Sequence, residues 1–162
     1  MQKAPIPEFE EDRLRAVQSL NILGSAPDPR FDHLTKTATE RFSVPISTIS
    51  IIDKDREWYK SCQGINTKSG ARDISFCGHA LLQEDMLILE DTLDDPRFAD
   101  NPMVVGPPYI RFYAGKSLYE RQSNLPVGVL CIKDTKPRKM SPQDIADFLD
   151  LASKAEDELN AA

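Results

Sequence analysis

Cys77-Gly78-His79 is the first grouping in the chain whose residue types could do chemistry, a thiol two residues from an imidazole. Thiol and imidazole act as nucleophile and base only where their side chains meet. Residues 76–83 read as a short helix capped by Ser75, and positions two apart on a helix point about 200° away from each other. Cys77 therefore reads as a small buried hydrophobe and His79 as a ring satisfied by hydrogen bonds. The other two cysteines, Cys62 and Cys131, fall on predicted strands. A redox set would need a low-pKa thiol beside a resolving one. Three scattered cysteines and two histidines lack the close ligand pairs of a structural zinc site, so no metal is expected.

A second grouping is Tyr109, Arg111 and Tyr113. Alternation along a strand over 109–118 puts these three on one face, where an arginine between two tyrosines can hold an anionic or planar ligand. The competing reading is that Arg111 and Arg72 are structural, each paired with a carboxylate such as Asp73, Asp91 or Asp95. The two readings are compatible, the pairing then forming one wall of the pocket. Gly115-Lys116-Ser117 echoes the end of a phosphate-binding loop, but Ile110 stands where the first glycine belongs and the segment reads as a strand. Neither G-x-S-x-G nor G-x-G-x-x-G occurs.

The elements that must position these residues follow from periodicity. Leu14, Val17 and Leu20 make one stripe of a helix over 8–22, stopped by Gly24. Asp28-Pro29 opens a second helix with Phe31, Leu34, Ala38 and Phe42 on its apolar face. Residues 45–52 and 57–62 then change to β-branched and alternating patterns across the polar turn 53–56, which predicts an antiparallel hairpin. A loop is expected over 64–75, a brief strand at 86–89, and mostly irregular chain from Asp91 to Pro108. Strands at 109–118 and 125–133 pair next. Ser141-Pro142-Gln143-Asp144 starts a last helix carrying Ile145, Phe148, Leu149, Ala152, Ala155 and Leu159. The predicted fold is α/β (α+β): an antiparallel sheet, the end helices on one face, and loops with a short helix on the other, leaving a cavity beneath residues 64–108.

The totals narrow the partners. A chain of 162 residues fits one domain, 1–162, with an extension at 1–7, helices over 8–43, a sheet and pocket region over 45–133, and a terminal helix over 141–160. A net charge of −6 and a pI near 5.0 argue against nucleic acid or an anionic membrane as the main partner. The odd cysteine count, the absence of an apolar signal core after Met1 and the lack of a run of ~18 apolar residues predict a cytoplasmic protein with reduced thiols.

Several stretches, taken in order, carry a likeness. They include Val44-Pro45-Ile46 through Asp53, Asp55-Arg56-Glu57-Trp58-Tyr59-Lys60-Ser61, Arg72-Asp73-Ile74-Ser75-Phe76-Cys77-Gly78-His79-Ala80, Asp95 to Pro102, Gly106 to Gly115, and Gly128-Val129-Leu130-Cys131-Ile132 with Pro137-Arg138. The chain resembles GAF domains of the bacterial signalling type over nearly its whole length. That resemblance implies a six-stranded antiparallel sheet and a regulatory, non-catalytic sensor in signal transduction. It further implies a homodimer through the terminal helices and a kinase or cyclic-di-nucleotide output domain as partner. The chain is either free-standing or excised from a longer protein. The ligand-binding set expected is Arg72, Asp73, Phe76, Cys77, His79, Tyr109, Arg111 and Tyr113, for a small molecule of unknown identity, with no cofactor specified. Some relatives attach a bilin through cysteine followed directly by histidine, a pattern that Gly78 interrupts here. An alternative within the same fold is a thiol-dependent free methionine sulfoxide reductase.

Overall fold

The structure, a computed structural model, describes residues 1–161; Ala162, at the end of the predicted 1–162 unit, lies outside the described residues. Helix α1 (Glu10–Ser19) opens with Glu10, Glu11 and Asp12 in its first turn, where carboxylates meet the positive end of the helix dipole. It ends earlier than the predicted 22, because Asn21 turns into the left-handed region at φ 51°. Helix α2 (Pro29–Phe42) starts as the sequence predicts: the Asp28 carboxylate accepts from the Arg30 N–H and Pro29 occupies the first turn.

Six strands follow: β1 (Ile46–Ile52), β2 (Arg56–Gln63), β3 (Ser69–Ala71), β4 (Leu87–Leu89), β5 (Phe112–Glu120) and β6 (Leu125–Asp134). They form one sheet in the order β3-β2-β1-β6-β5-β4, and every neighbouring pair is antiparallel. Between them lie the short helices α3 (Phe76–Ala80) and α4 (Pro102–Val105), and the chain closes with α5 (Pro142–Leu159). Ser141 and Asp144 cap α5 reciprocally, each side chain accepting from the other's backbone N–H.

The sheet is covered on both faces. On one, Phe31, Leu34 and Phe42 of α2 and Phe148, Ala152 and Ala155 of α5 pack with Ile49, Ile51, Trp58, Leu130 and Ile132. On the other, Phe76, Ala80, Leu81, Phe98 and Ile110 pack over Ile46, Ile52, Val129 and Cys131. β1 sits centrally and is buried at every position. Terminal helices on one face and α3 with long loops on the other match the expected arrangement.

Three local expectations are corrected. The predicted strand 109–118 begins at Phe112, because Tyr109 adopts φ 60° and the Ile110 N–H is bound to the Met103 carbonyl. The predicted loop 64–75 contains β3 and a single 3-10 turn at Arg72–Ile74. The space expected between sheet and residues 64–108 is filled: the rings of Phe98, Phe76 and Tyr113 stack with centroids 5.1 and 5.2 Å apart. Surface clefts of about 370 and 390 Å³ reach the edge of this stretch, one lined by Trp58, Lys60, Cys62 and Lys68, the other by Lys3, Lys54 and Arg72.

Candidate functional site

A sheet face buried beneath helices is ordinarily apolar, and the α3 side of this one is not. Strand register explains which residues meet there. Cys131 of β6 stands opposite Thr48 of β1 on one flank and Gly115 of β5 on the other. One step along, Lys133 stands opposite Ile46 and Tyr113. Alternation sends Val129, Cys131 and Lys133 to the α3 face while Leu130 and Ile132 face the helices. Gly115 is required here: a Cβ at that position would run into the Tyr113 phenol, which lies across it.

The polar atoms are tied together. Tyr113 Oη donates to Cys77 Sγ at 3.2 Å, and Thr48 Oγ1 lies 3.0 Å from Cys131 Sγ. Ser75 caps α3 by accepting from the Gly78 N–H and gives its own hydroxyl hydrogen to the buried Glu57 carboxylate. Tyr59 Oη donates to the same carboxylate at 2.6 Å. Lys133 is 2% exposed, forms no ion pair among the described residues, and holds its Nζ 5.8 Å from the Phe76 ring centroid.

This setting divides the two thiols. Burial pushes the Cys77 thiol well up, and the neighbouring Cys131 and the Glu57 charge push the same way. Burial also opposes ionisation of Cys131, but hydrogen bonding from Cys77, the Lys133 charge and the Thr48 hydroxyl prevail and bring it to about 7. Lys133 is disfavoured as an ammonium by burial, yet Cys131 and Glu57 raise its pKa above the ordinary lysine value. The setting therefore favours ionisation of Cys131 over Cys77, with a cation in attendance.

Of the eight residues expected to line a ligand site, Phe76, Cys77 and Tyr113 meet in this centre. His79 leaves from the opposite side of α3, as its spacing predicts: Nε2 lies 3.1 Å from the Gln2 carbonyl, its ring edge rests on Phe98, and burial lowers its pKa. Arg111 forms a fork with Asp91 at 2.9 and 3.0 Å, the structural pairing foreseen as one alternative. Tyr109 is 55% exposed and Asp73 is exposed, so neither lies with the buried centre. Tyr109 and Arg111 precede β5, so the proposed face of Tyr109, Arg111 and Tyr113 does not form.

Arg72 is buried, and its partner is neither Asp73, Asp91 nor Asp95. Its guanidinium clasps Glu10 of α1 and donates to the Asp53 and Lys54 carbonyls, while Glu10 also accepts from the fully buried Arg13. Glu10 thus joins α1 to the turn before β2 and to the 3-10 turn leading into α3. Glu57, Cys131 and Lys133 were not among the expected site residues. The available signal was the lysine at every second position with Val129 and Cys131 inside an otherwise apolar run.

The fold is that of GAF-type domains. The chain superposes on the GAF domain of an Acinetobacter phosphoenolpyruvate-protein phosphotransferase with a TM-score of 0.64 at 18% identity, covering 96% of this chain and 94% of that one. It matches the free methionine-R-sulfoxide reductase of Neisseria meningitidis with a TM-score of 0.65 at 13% identity, over 99% and 98% of the two chains. In sequence it is 38% identical over 147 residues to a cyclic di-GMP phosphodiesterase of Pseudomonas aeruginosa, across 90% of this chain but 25% of that protein. The chain thus spans about a quarter of that relative's length. No family model matches it.

These comparisons correct one expectation. The sequence reading excluded catalysis, whereas free methionine-R-sulfoxide reductases stand among the structural neighbours and the curated relative is named as a phosphodiesterase. This fold houses enzymes as well as sensors, so exclusion of catalysis does not follow from it. Among the described residues no three His, Cys, Asp or Glu side chains converge as a metal site, and no helix is long and apolar enough to cross a membrane.

Proposed function

We propose that the chain is a regulatory module of cyclic di-GMP signalling, governing the hydrolysis of that nucleotide by a phosphodiesterase in the same polypeptide or assembly. The observation that carries this reading is the 38% identity over 147 residues to a quarter of a cyclic di-GMP phosphodiesterase. The cue acts at the α3 face of the sheet, where Phe76, Cys77 and Tyr113 meet Glu57, Cys131 and Lys133. A small molecule or partner that displaces α3 changes the packing of β5, against which α5 lies, and of β6, against which α1 lies. The module works in the cytoplasm as a homodimer through its terminal helices; in support, Phe9 beside α1 and Leu149 of α5 stay 41% and 39% exposed.

The test is exchange. The matching stretch of the Pseudomonas phosphodiesterase is replaced by this chain, and cyclic di-GMP hydrolysis is compared with that of the parent and of a deletion lacking the stretch. The reading expects the exchange to restore parental control that the deletion loses. Equal rates in all three would refute it. Light scattering of Leu149→Glu checks the dimer, which the reading expects to dissociate.

A thiol-dependent activity is the second reading, favoured by the lowered pKa of Cys131 beside Cys77. Turnover of free methionine sulfoxide, lost on Cys131→Ser, is the result it requires.

A further inference from the structure

The chain carries a thiol pair that no ligand-binding role explains, and it is built differently from a packed cysteine. Cys131 and Cys77 belong to the same buried cluster between β6 and α3, where their thiols interact directly. Cys131 is held by the Thr48 hydroxyl at 3.0 Å and Cys77 by the Tyr113 hydroxyl at 3.2 Å. A buried lysine stands two residues along the same strand face, without an ion-pair partner among the described residues. Taking an ammonium out of water is costly, and a structural cysteine has no use for one.

We infer that Cys131 and Cys77 form a reversible modification site for hydroperoxides, in which Cys131 is the attacking thiolate, Cys77 the resolving thiol and Lys133 the cation that keeps Cys131 ionised. The Cys131 sulfur attacks one peroxide oxygen, the O–O bond breaks, and the electron pair leaves with hydroxide, which is protonated to water. Sulfur is thereby oxidised to a sulfenic acid. The Cys77 sulfur then attacks it, the S–OH bond breaks, and the hydroxide departs as water with the Cys77 proton. For hydrogen peroxide the sum is two thiols oxidised to one disulfide and the oxidant reduced to two waters.

Register selects the partner. Cys62 pairs with Thr48 and so lies two strands from Cys131. Two strand spacings make roughly 9–10 Å between Cα atoms, beyond the ~7 Å that a disulfide can bridge. Cys77 approaches from above the sheet instead. The cover over the pair is thin. α3 has five residues, and residues 1–7 lie across it through backbone bonds from Gln2 to Arg97 and from Ala4 to Asp73. Short, lightly tied elements open locally at low free energy, enough to admit a molecule of peroxide's size. A disulfide would clamp α3 onto β6 and remove the negative charge beside Lys133, changing the same face that the regulatory reading invokes. The site stands whether or not a phosphodiesterase is the output.

The experiment treats the folded chain with hydrogen peroxide and follows intact mass and cross-linked peptides. The expected result is loss of two hydrogen atoms, a Cys77–Cys131 peptide reversed by dithiothreitol, and a rate that rises with pH through about 7. Cys62→Ser should leave this unchanged, and Lys133→Met should slow it about tenfold at neutral pH by reducing the thiolate fraction. Wild-type protein alone decides the matter should a variant fail to fold. Thiols that survive peroxide unchanged, oxidation confined to Cys62, or a cross-link that includes Cys62 would each overturn the assignment.

Discussion

Glu10 holds two buried arginines, and the asymmetry of that arrangement is testable. Removing Arg72 leaves Glu10 still paired with Arg13, whereas removing Glu10 leaves two guanidinium groups in the interior without a carboxylate. Breaking a buried pair from the side that strands charge costs about 3–5 kcal/mol. Urea denaturation should therefore find Glu10→Ala more destabilising than Arg72→Ala. The pH dependence follows in sign. Burial of Glu10 opposes ionisation, but the bonds from Arg13 and Arg72 prevail and hold the carboxyl below its ordinary 4.5. The folded form then binds fewer protons than the unfolded chain. Its contribution is present above pH 4.5 and is lost as pH falls through the lower folded value, so stability should decline on acidification and Glu10→Gln should flatten that decline. Tyr113→Phe, which removes only the donor to Cys77, should cost about 1 kcal/mol in the same assay.

At the scale of elements, legibility tracked local physics. The run of β-branched residues at 46–52 and the cap at Ser141 are decided by near neighbours, and both formed where the sequence placed them. Ser141→Ala should cost about 1 kcal/mol, and Phe148→Ala, which empties a fully buried site between α5 and α2, about 3–5 kcal/mol in thermal or urea unfolding. β3 was missed because Ser69-Gly70-Ala71 has no apolar alternation; its pairing to Arg56–Trp58 defines it as a strand. The start of β5 was misplaced because alternation of Tyr109, Arg111 and Tyr113 looked continuous. Pro107-Pro108 and the Met103 carbonyl hold the chain out of the sheet until Phe112. Gly64 shows the reverse case, a turn glycine at φ 84° whose Cβ would strike the Pro45 carbonyl. Gly64→Ala should lower the melting temperature, as expected where both conformation and space demand glycine.

Over the whole molecule, one sheet separates two unlike interiors. The side under α1, α2 and α5 is a closely packed apolar layer, while the side under α3 concentrates thiols, phenols, Glu57 and Lys133 around an aromatic stack. About half of that centre was legible in advance. Phe76, Cys77 and Tyr113 come from the loop-rich stretch and the strand that sequence reasoning singled out. Glu57, Cys131 and Lys133 lie on strands whose alternation could be read, but strand order alone decides that they share a face with α3. That the space beneath residues 64–108 is filled was not legible at all, because whether facing rings stack or stand apart depends on side-chain packing across the sheet.

The most direct test of this account measures cyclic di-GMP hydrolysis by the Pseudomonas phosphodiesterase carrying this chain in place of its matching stretch, with Phe98→Leu to loosen the α3 face. Arg15→Ala, on the exposed side of α1, serves as the control. The account predicts that loosening the α3 face changes the hydrolysis rate several-fold while the control leaves it unaltered. Hydrolysis indifferent to both substitutions, in protein shown to be folded, would contradict it.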